Sequence, residues 1–293
     1  MKTLYSKIFS FTMAIFFIGI SSSCAQTYKL YNVKEEAYVP VESGFDQISR
    51  SEVVVLGETH YDPVIQQAEA WTLEKLALRN NRFQLAWEFL DYRDQAALES
   101  SYQKFKADEI TGSELINGWF RKSKANHELY LPLYEVAKKY DLEILGTNSP
   151  RKFKQKLMAQ GRDLLDDDKE IWPFSTRVSD APMGYRNRFS DAMGGHVDTQ
   201  TLDKYYLAQF YTDAYMANAI DDKLNRGPIM MVVGHFHSDF GHGLPHYLFD
   251  LGIKEVSQIR LVNLSQIDDD ELEEILKPHS SYGTIADYIL LID

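Results

Sequence analysis

The chain of 293 residues has one cysteine, Cys24, and no other. It can therefore build no internal disulfide framework. Basic residues are in the minority, 31 Lys and Arg against 43 Asp and Glu, for a net charge of −12. A surface of that sign repels phosphate backbones, so no nucleic acid is expected as a partner. Nine Pro and 16 Gly are too few for a low-complexity linker protein. Several catalytic signatures are missing: no Gly-x-Ser-x-Gly elbow, no Gly-x-x-x-x-Gly-Lys-Ser/Thr loop and no Gly-x-Gly-x-x-Gly turn occurs. The apolar run Ile8–Ile20 falls short of the roughly 20 residues that cross a bilayer.

That run has the length of a signal h-region instead. Lys2 and Lys7 precede it, and Ser21, Ser22, Ser23 and Cys24 follow. The arrangement resembles a bacterial lipoprotein signal over residues 1–23, with Cys24 as the lipid-attachment residue. Ordinary cleavage after Ala25 is the alternative. Either way the chain is expected to be exported. Two acyl chains on Cys24 would hold it at a membrane, since one chain alone binds only marginally. Residues 24–50 read as an extended tether, and 51–293 as the folded domain.

The composition, 44% apolar and 13% aromatic, is that of a globular chain. Four apolar runs of strand length end in polar residues. Val53–Leu56 leads into Gly57-Glu58-Thr59-His60, and Phe83–Trp87 into Glu88. Leu142–Leu145 leads into Gly146-Thr147-Asn148, and Ile229–Val233 into Gly234-His235-Phe236-His237. Weaker runs lie at Ile259–Leu264 and Ile285–Ile292. Helical spacing is visible at Pro63–Asn80, with Asp62 as N-cap, at Glu128–Lys139 and at Leu202–Leu224. This alternation predicts an α/β fold, a mostly parallel sheet flanked by helices. Segments 91–127 and 151–200 exceed what a crossover needs, and are expected to form helical insertions and a smaller helical subdomain. The acidic runs Asp166–Asp168 and Asp268–Glu271 read as solvated loops or helix starts, with cation binding as the alternative.

In an open parallel sheet, ligands bind beyond the carboxyl ends of the strands. Glu58, His60, Glu88, Asn148, Arg151, His235 and His237 all fall there. One polar residue at a strand end is usually a loop cap; the joint pattern is harder to assign to packing. His235 and His237 would face the same way on a strand and diverge on a turn. On a strand, Glu58, His60, His235 and His237 could hold a divalent metal. As a hydrolase site, Glu58, His60, Glu88 and His237 would activate water and Arg151 would stabilise an oxyanion. The 18 tyrosines are mostly expected in the core. A phenolate is nevertheless a known ligand of haem iron, and an anionic porphyrin needs a cation, for which Arg151, Arg186 and Arg188 are candidates.

Gly57-Glu58-Thr59-His60 and Gly234-His235-Phe236-His237 each fit Gly-x-x-His at a strand end. Glu88 lies between them, and Arg151 follows Asn148-Ser149-Pro150. With Ala208–Ala217 and Gly234–Leu248, this ordered set resembles the superfamily joining ChaN haem-uptake proteins, Tiki proteases and erythromycin-esterase-like enzymes, ChaN most of all. The resemblance implies an exported, outer-membrane lipoprotein that binds haem for iron acquisition. It implies a Tyr as iron ligand, with Tyr61 first and Tyr211 and Tyr215 next. His235 and Arg151 would be further contacts. A haem at an exposed rim would be covered by pairing into a homodimer. A metal-dependent hydrolase of the Tiki or esterase kind is the alternative.

Overall fold

The computed structural model describes residues 26–120, 126–195 and 197–293. Among these, eight strands form one sheet. They are β1 (Tyr28–Asn32), β2 (Ala37–Val39), β3 (Val53–Glu58), β4 (Gln84–Asp91), β5 (Ile144–Asn148), β6 (Ile229–Gly234), β7 (Val256–Asn263) and β8 (Tyr288–Ile292). Their order across the sheet is β2-β1-β8-β7-β3-β6-β4-β5. All pairings from β8 to β5 are parallel; β1 runs antiparallel to both β8 and β2.

The helices follow in chain order. The first five are α1 (Val41–Ile48), α2 (Pro63–Arg79), α3 (Gln95–Lys106), α4 (Gly112–Phe120) and α5 (Leu131–Lys139). Then come α6 (Arg151–Gln160), α7 (Leu164–Asp167), α8 (Met183–Ala192), α9 (Thr199–Asp221), α10 (Leu244–Asp250) and α11 (Asp269–Leu276). The Asp62 side chain accepts from Val64 N at 2.9 Å and starts α2 beside Pro63. Asp268 and Glu271 form a capping box, so that acidic run starts α11 rather than holding a cation.

Side chains alternate across each strand and so feed two cores. Val54, Leu56, Leu85, Trp87, Met230 and Val232 pack on α2 and α5. Val53, Val55, Ala86, Met231 and Val233 pack on α6, α9 and α10. Both faces of the central strands are covered, which explains their unbroken apolar runs. A third cluster sets Val262, Ile289 and Leu291 against α11.

Residues 28–48 are not the extended tether expected of 24–50. Leu30 pairs with Leu290 and with Val39, and Phe45 of α1 is fully buried. The strands are short and mix polar with apolar residues, so only the distant partner β8 makes them strands. Cys24 and the 1–23 signal lie outside the described residues. Among the described residues, no helix is long and apolar enough to cross a membrane.

Candidate functional site

The carboxyl ends of β3, β6 and β4 lie side by side and carry one continuous chain of charged groups. Glu58, the last residue of β3, is fully buried. Its carboxylate accepts from Tyr130 Oη at 2.9 Å on both oxygens and from Gln66 Nε2 at 2.8 Å. His60 Nδ1 lies 2.9 Å from Glu58 Oε1, and His60 Nε2 lies 3.3 Å from Glu88 Oε1. Glu88 Oε2 accepts from the Gly234 amide at 2.6 Å and stands 4.0 Å from His237 Nε2. His237 Nδ1 is 2.6 Å from Asp213 Oδ1, and Asp213 Oδ2 accepts from Tyr185 Oη at 2.6 Å. Carboxylate and imidazole thus alternate from Glu58 through His60, Glu88 and His237 to Asp213.

Local backbone explains this aim. The register between β4 and β5 shifts after Trp87–Gly146, which bends β4 at Glu88. A Cβ on Gly146 would meet the Asp91 carbonyl at 2.2 Å, so no other residue fits beneath the bend. Tyr61 sits at φ 61°, a left-handed conformation that a bulky residue rarely takes. Its amide faces Tyr130 Oη at 3.4 Å, its hydroxyl lies 3.3 Å from His127 Nε2, and its ring runs nearly parallel to Phe89 at 6.0 Å.

Neighbouring charge sets the protonation of the array. Burial alone would lower His60, but hydrogen bonds to Glu58 and Glu88 raise it to about 10. Burial likewise pushes Glu88 up, and His60, His237 and the Gly234 amide together pull it down to about 2. His237 is also raised; its burial is outweighed by Asp213 and Glu88. Asp213 is raised by burial despite His237 and Tyr185. Behind them, burial and the Glu58 charge push Glu69 well above the usual carboxylate value, disfavouring its charged form. Flanking carboxylates thus favour the charged form of both imidazoles. Such an array can orient a ligand's polar edge at the sheet rim.

The fold and the sequence have known relatives. A family model described as "Haem-binding uptake, Tiki superfamily, ChaN" matches residues 45–248. The chain belongs to this family. Its structure is similar to that of ChaN from Campylobacter jejuni, solved for its cofacial haem binding. The TM-score is 0.70 at 18% identity, over 91% of this chain and 97% of that one. At this identity the likeness concerns the fold. Weaker structural likenesses include the type III effector HopBA1 (TM-score 0.46, 11% identity, 84% of this chain and 90% of that one). Another is a mutant of the erythromycin esterase EreC in its open conformation (TM-score 0.44, 12% identity, 81% and 77%). No curated protein matches the chain significantly.

In this ChaN-family chain the expected residues separate into two groups. Glu58, His60, Glu88 and His237 converge, and Tyr61 adjoins them at the open rim. His235 does not join them. Residues His235–His237 form a turn instead of extending β6, and His235 Nδ1 goes to Asp239 Oδ2 at 2.8 Å. The expected metal set therefore does not converge. Among the described residues no group of three His, Cys, Asp or Glu could hold a metal ion. Tyr211 and Tyr215 are fully buried in the α9 core, and Tyr211 Oη donates to the Ile171 carbonyl at 2.9 Å. They do not reach the rim. Arg151 is exposed at the start of α6.

Asp213, Tyr130, Gln66 and Lys154 were not legible as site residues. Asp213 left one signal, a lone acid inside the run Phe210–Ile220. Lys154 donates to Asn148 Oδ1 at 3.1 Å, and Asn148 Nδ2 in turn donates to the Glu88 carbonyl at 2.6 Å.

Proposed function

We propose that this chain binds haem at the rim beside His60 and that the Tyr61 phenol is the iron ligand. Family membership supports the ligand class. One observation carries the reading to a residue: Tyr61 is held left-handed at the rim, a strained backbone of the kind that concentrates at functional sites. The surroundings fit a porphyrin. Tyr61, backed by the nearly parallel ring of Phe89, gives an aromatic edge to a cleft of about 380 Å³ that opens beside His60.

Bound ferric haem supplies a Lewis acid that favours phenolate. The chain's own residues hold the phenol and manage its proton. Burial, with the charges of Glu58 and Glu88, raises the Tyr61 hydroxyl above the usual phenol value, so it is protonated before ligation. His127 Nε2, 3.3 Å away, is placed to receive that proton. Export, anchoring through a lipid on Cys24, a role in iron acquisition at the outer membrane and pairing of two copies over the porphyrin faces belong to the same proposal. Family membership and the lipoprotein-like start support them.

The test is a titration of residues 25–293 with hemin, followed by absorption. A saturable Soret shift with a tyrosinate-like spectrum, lost in Tyr61→Phe, is expected. No saturable shift would overturn the proposal. Palmitate labelling lost in Cys24→Ala tests the anchor.

A second reading, acid–base hydrolysis, is favoured by the array itself. A His between two carboxylates is more polar chemistry than holding a porphyrin requires. It expects turnover of an ester or amide substrate that His60→Ala abolishes while the fold is kept.

A further inference from the structure

Strand β7 places a largely buried arginine at the wall of the same cleft. Arg260 pairs with Gly57, the residue before Glu58, and lines the cleft together with His60 and Tyr61. Its side chain is only 11% exposed. Its Nε stands 3.6 Å from Asp239 Oδ1, beyond hydrogen-bond reach, and Nε and Nη1 are both buried with no acceptor. Asp239 is its loose ion-pair partner: Oδ1 faces Arg260 without a hydrogen bond, while Oδ2 lies 2.8 Å from His235 Nδ1 and the carbonyl accepts from Arg188 Nη1 at 2.6 Å.

A buried guanidinium held by one loose ion pair, with Nε and Nη1 lacking acceptors, remains short of hydrogen-bond partners, which is costly. The other candidate cations are placed differently. Arg151 is exposed, and Arg188 is spent on Asp239 and on the faces of Phe236 and Phe240, each 4.7 Å away. The rest of the cleft is mixed: Leu261, Val262, Ile267 and Ile275 give apolar walls, and Asp62, whose carboxylate is engaged by Val64 N and Asn263 Nδ2, lies on its rim. A cation set among apolar walls suits a ligand that is hydrophobic over most of its surface and ends in a carboxylate. Arginine's planar fork matches a carboxylate with two parallel bonds.

We infer that Arg260 is the carboxylate-recognition residue of this cleft and, resting on the haem reading above, that it pairs with a haem propionate. Arg260 thus sets specificity for the free acid over its esters, and it replaces Arg151 as the counter-cation of the ligand.

The test compares hemin with hemin dimethyl ester on the full mature chain, by absorption titration. The unaltered chain is expected to bind the free acid about 10- to 100-fold more tightly than the ester, the span of one charge-assisted hydrogen-bonded pair. In Arg260→Gln that preference disappears: hemin weakens by the same factor and the ester does not. The ester comparison on the unaltered chain needs no substitution, so it holds even if Arg260→Gln fails to fold. Equal affinity for acid and ester, or a preference that survives in Arg260→Gln, overturns the role of Arg260 and leaves haem binding standing. Absence of saturable binding of either porphyrin overturns the haem reading, and this inference with it.

Discussion

Gly234 makes room for His60. A Cβ built on Gly234 would stand 2.7 Å from His60 Nε2, closer than a side chain allows. The glycine of the second Gly-x-x-His motif thus serves the histidine of the first. It also gives its amide to Glu88 Oε2, the other carboxylate that His60 addresses. Two motifs far apart in sequence are one device in space.

Gly234→Ala tests that relationship. Gly234 has an ordinary backbone (φ −54°, ψ 134°), so alanine brings no backbone strain. Unfolding free energy is expected to fall by less than about 1 kcal/mol, because the tip of His60 can swing away. The His60–Glu88 contact is expected to break, and the His60 titration followed by NMR should drop from its raised value. An unmoved titration would mean that the close approach is not what positions the ring.

Stability should depend on pH at both extremes. His60 stands at about 10 against an ordinary 6.5, so its contribution is complete below 6.5 and is lost as pH rises through 10. Glu88 stands at about 2 against 4.5, so its contribution is complete above 4.5 and is lost as pH falls through 2. Urea unfolding across this range should show both limbs, and His60→Ala should flatten the alkaline one. A variant that kept the alkaline limb would assign it to another group.

Breaking the inner pair should cost more. His237 and Asp213 are 2.6 Å apart with Asp213 fully buried, so His237→Ala leaves Asp213 without its cation. A loss of about 3 kcal/mol is expected. Glu69→Gln is the contrast. Burial and the Glu58 charge already disfavour an ionised Glu69, so its change should stay within about 1 kcal/mol. Equal losses from the two would contradict the charge assignment.

The tyrosines should separate by location. Tyr61→Phe is expected to abolish the tyrosinate-like haem spectrum with little change in stability. Tyr211→Phe removes a buried bond to the Ile171 carbonyl and should cost about 1 kcal/mol, leaving haem binding unaltered. Hemin titration beside thermal unfolding of both variants checks this. Loss of binding in Tyr211→Phe alone would move the ligand away from the rim.

The central strands were legible because burial on both faces writes unbroken apolar runs, as in Val53–Leu56 and Ile229–Val233. Asp62 and Pro63 marked the start of α2 because capping chemistry is local. The strand ends then pointed to Glu58, His60, Glu88 and His237. Residues 28–48 were not legible, since β1 becomes a strand only against β8, at the far end of the chain.

The sequence by itself determined the α/β alternation, the polar strand ends and the family, all of which rest on local pattern. Tertiary structure alone decided which groups meet. Strand order sets β6 between β3 and β4, and so puts His60 against Glu88 and Glu88 beside Gly234. Helix packing buries Tyr211 and leaves Tyr61 at the rim, and β7 brings Arg260 into the cleft. The physical reason is range. Periodicity and capping act within a few residues, whereas pairing, burial and the charge array come from contacts between segments far apart in the chain.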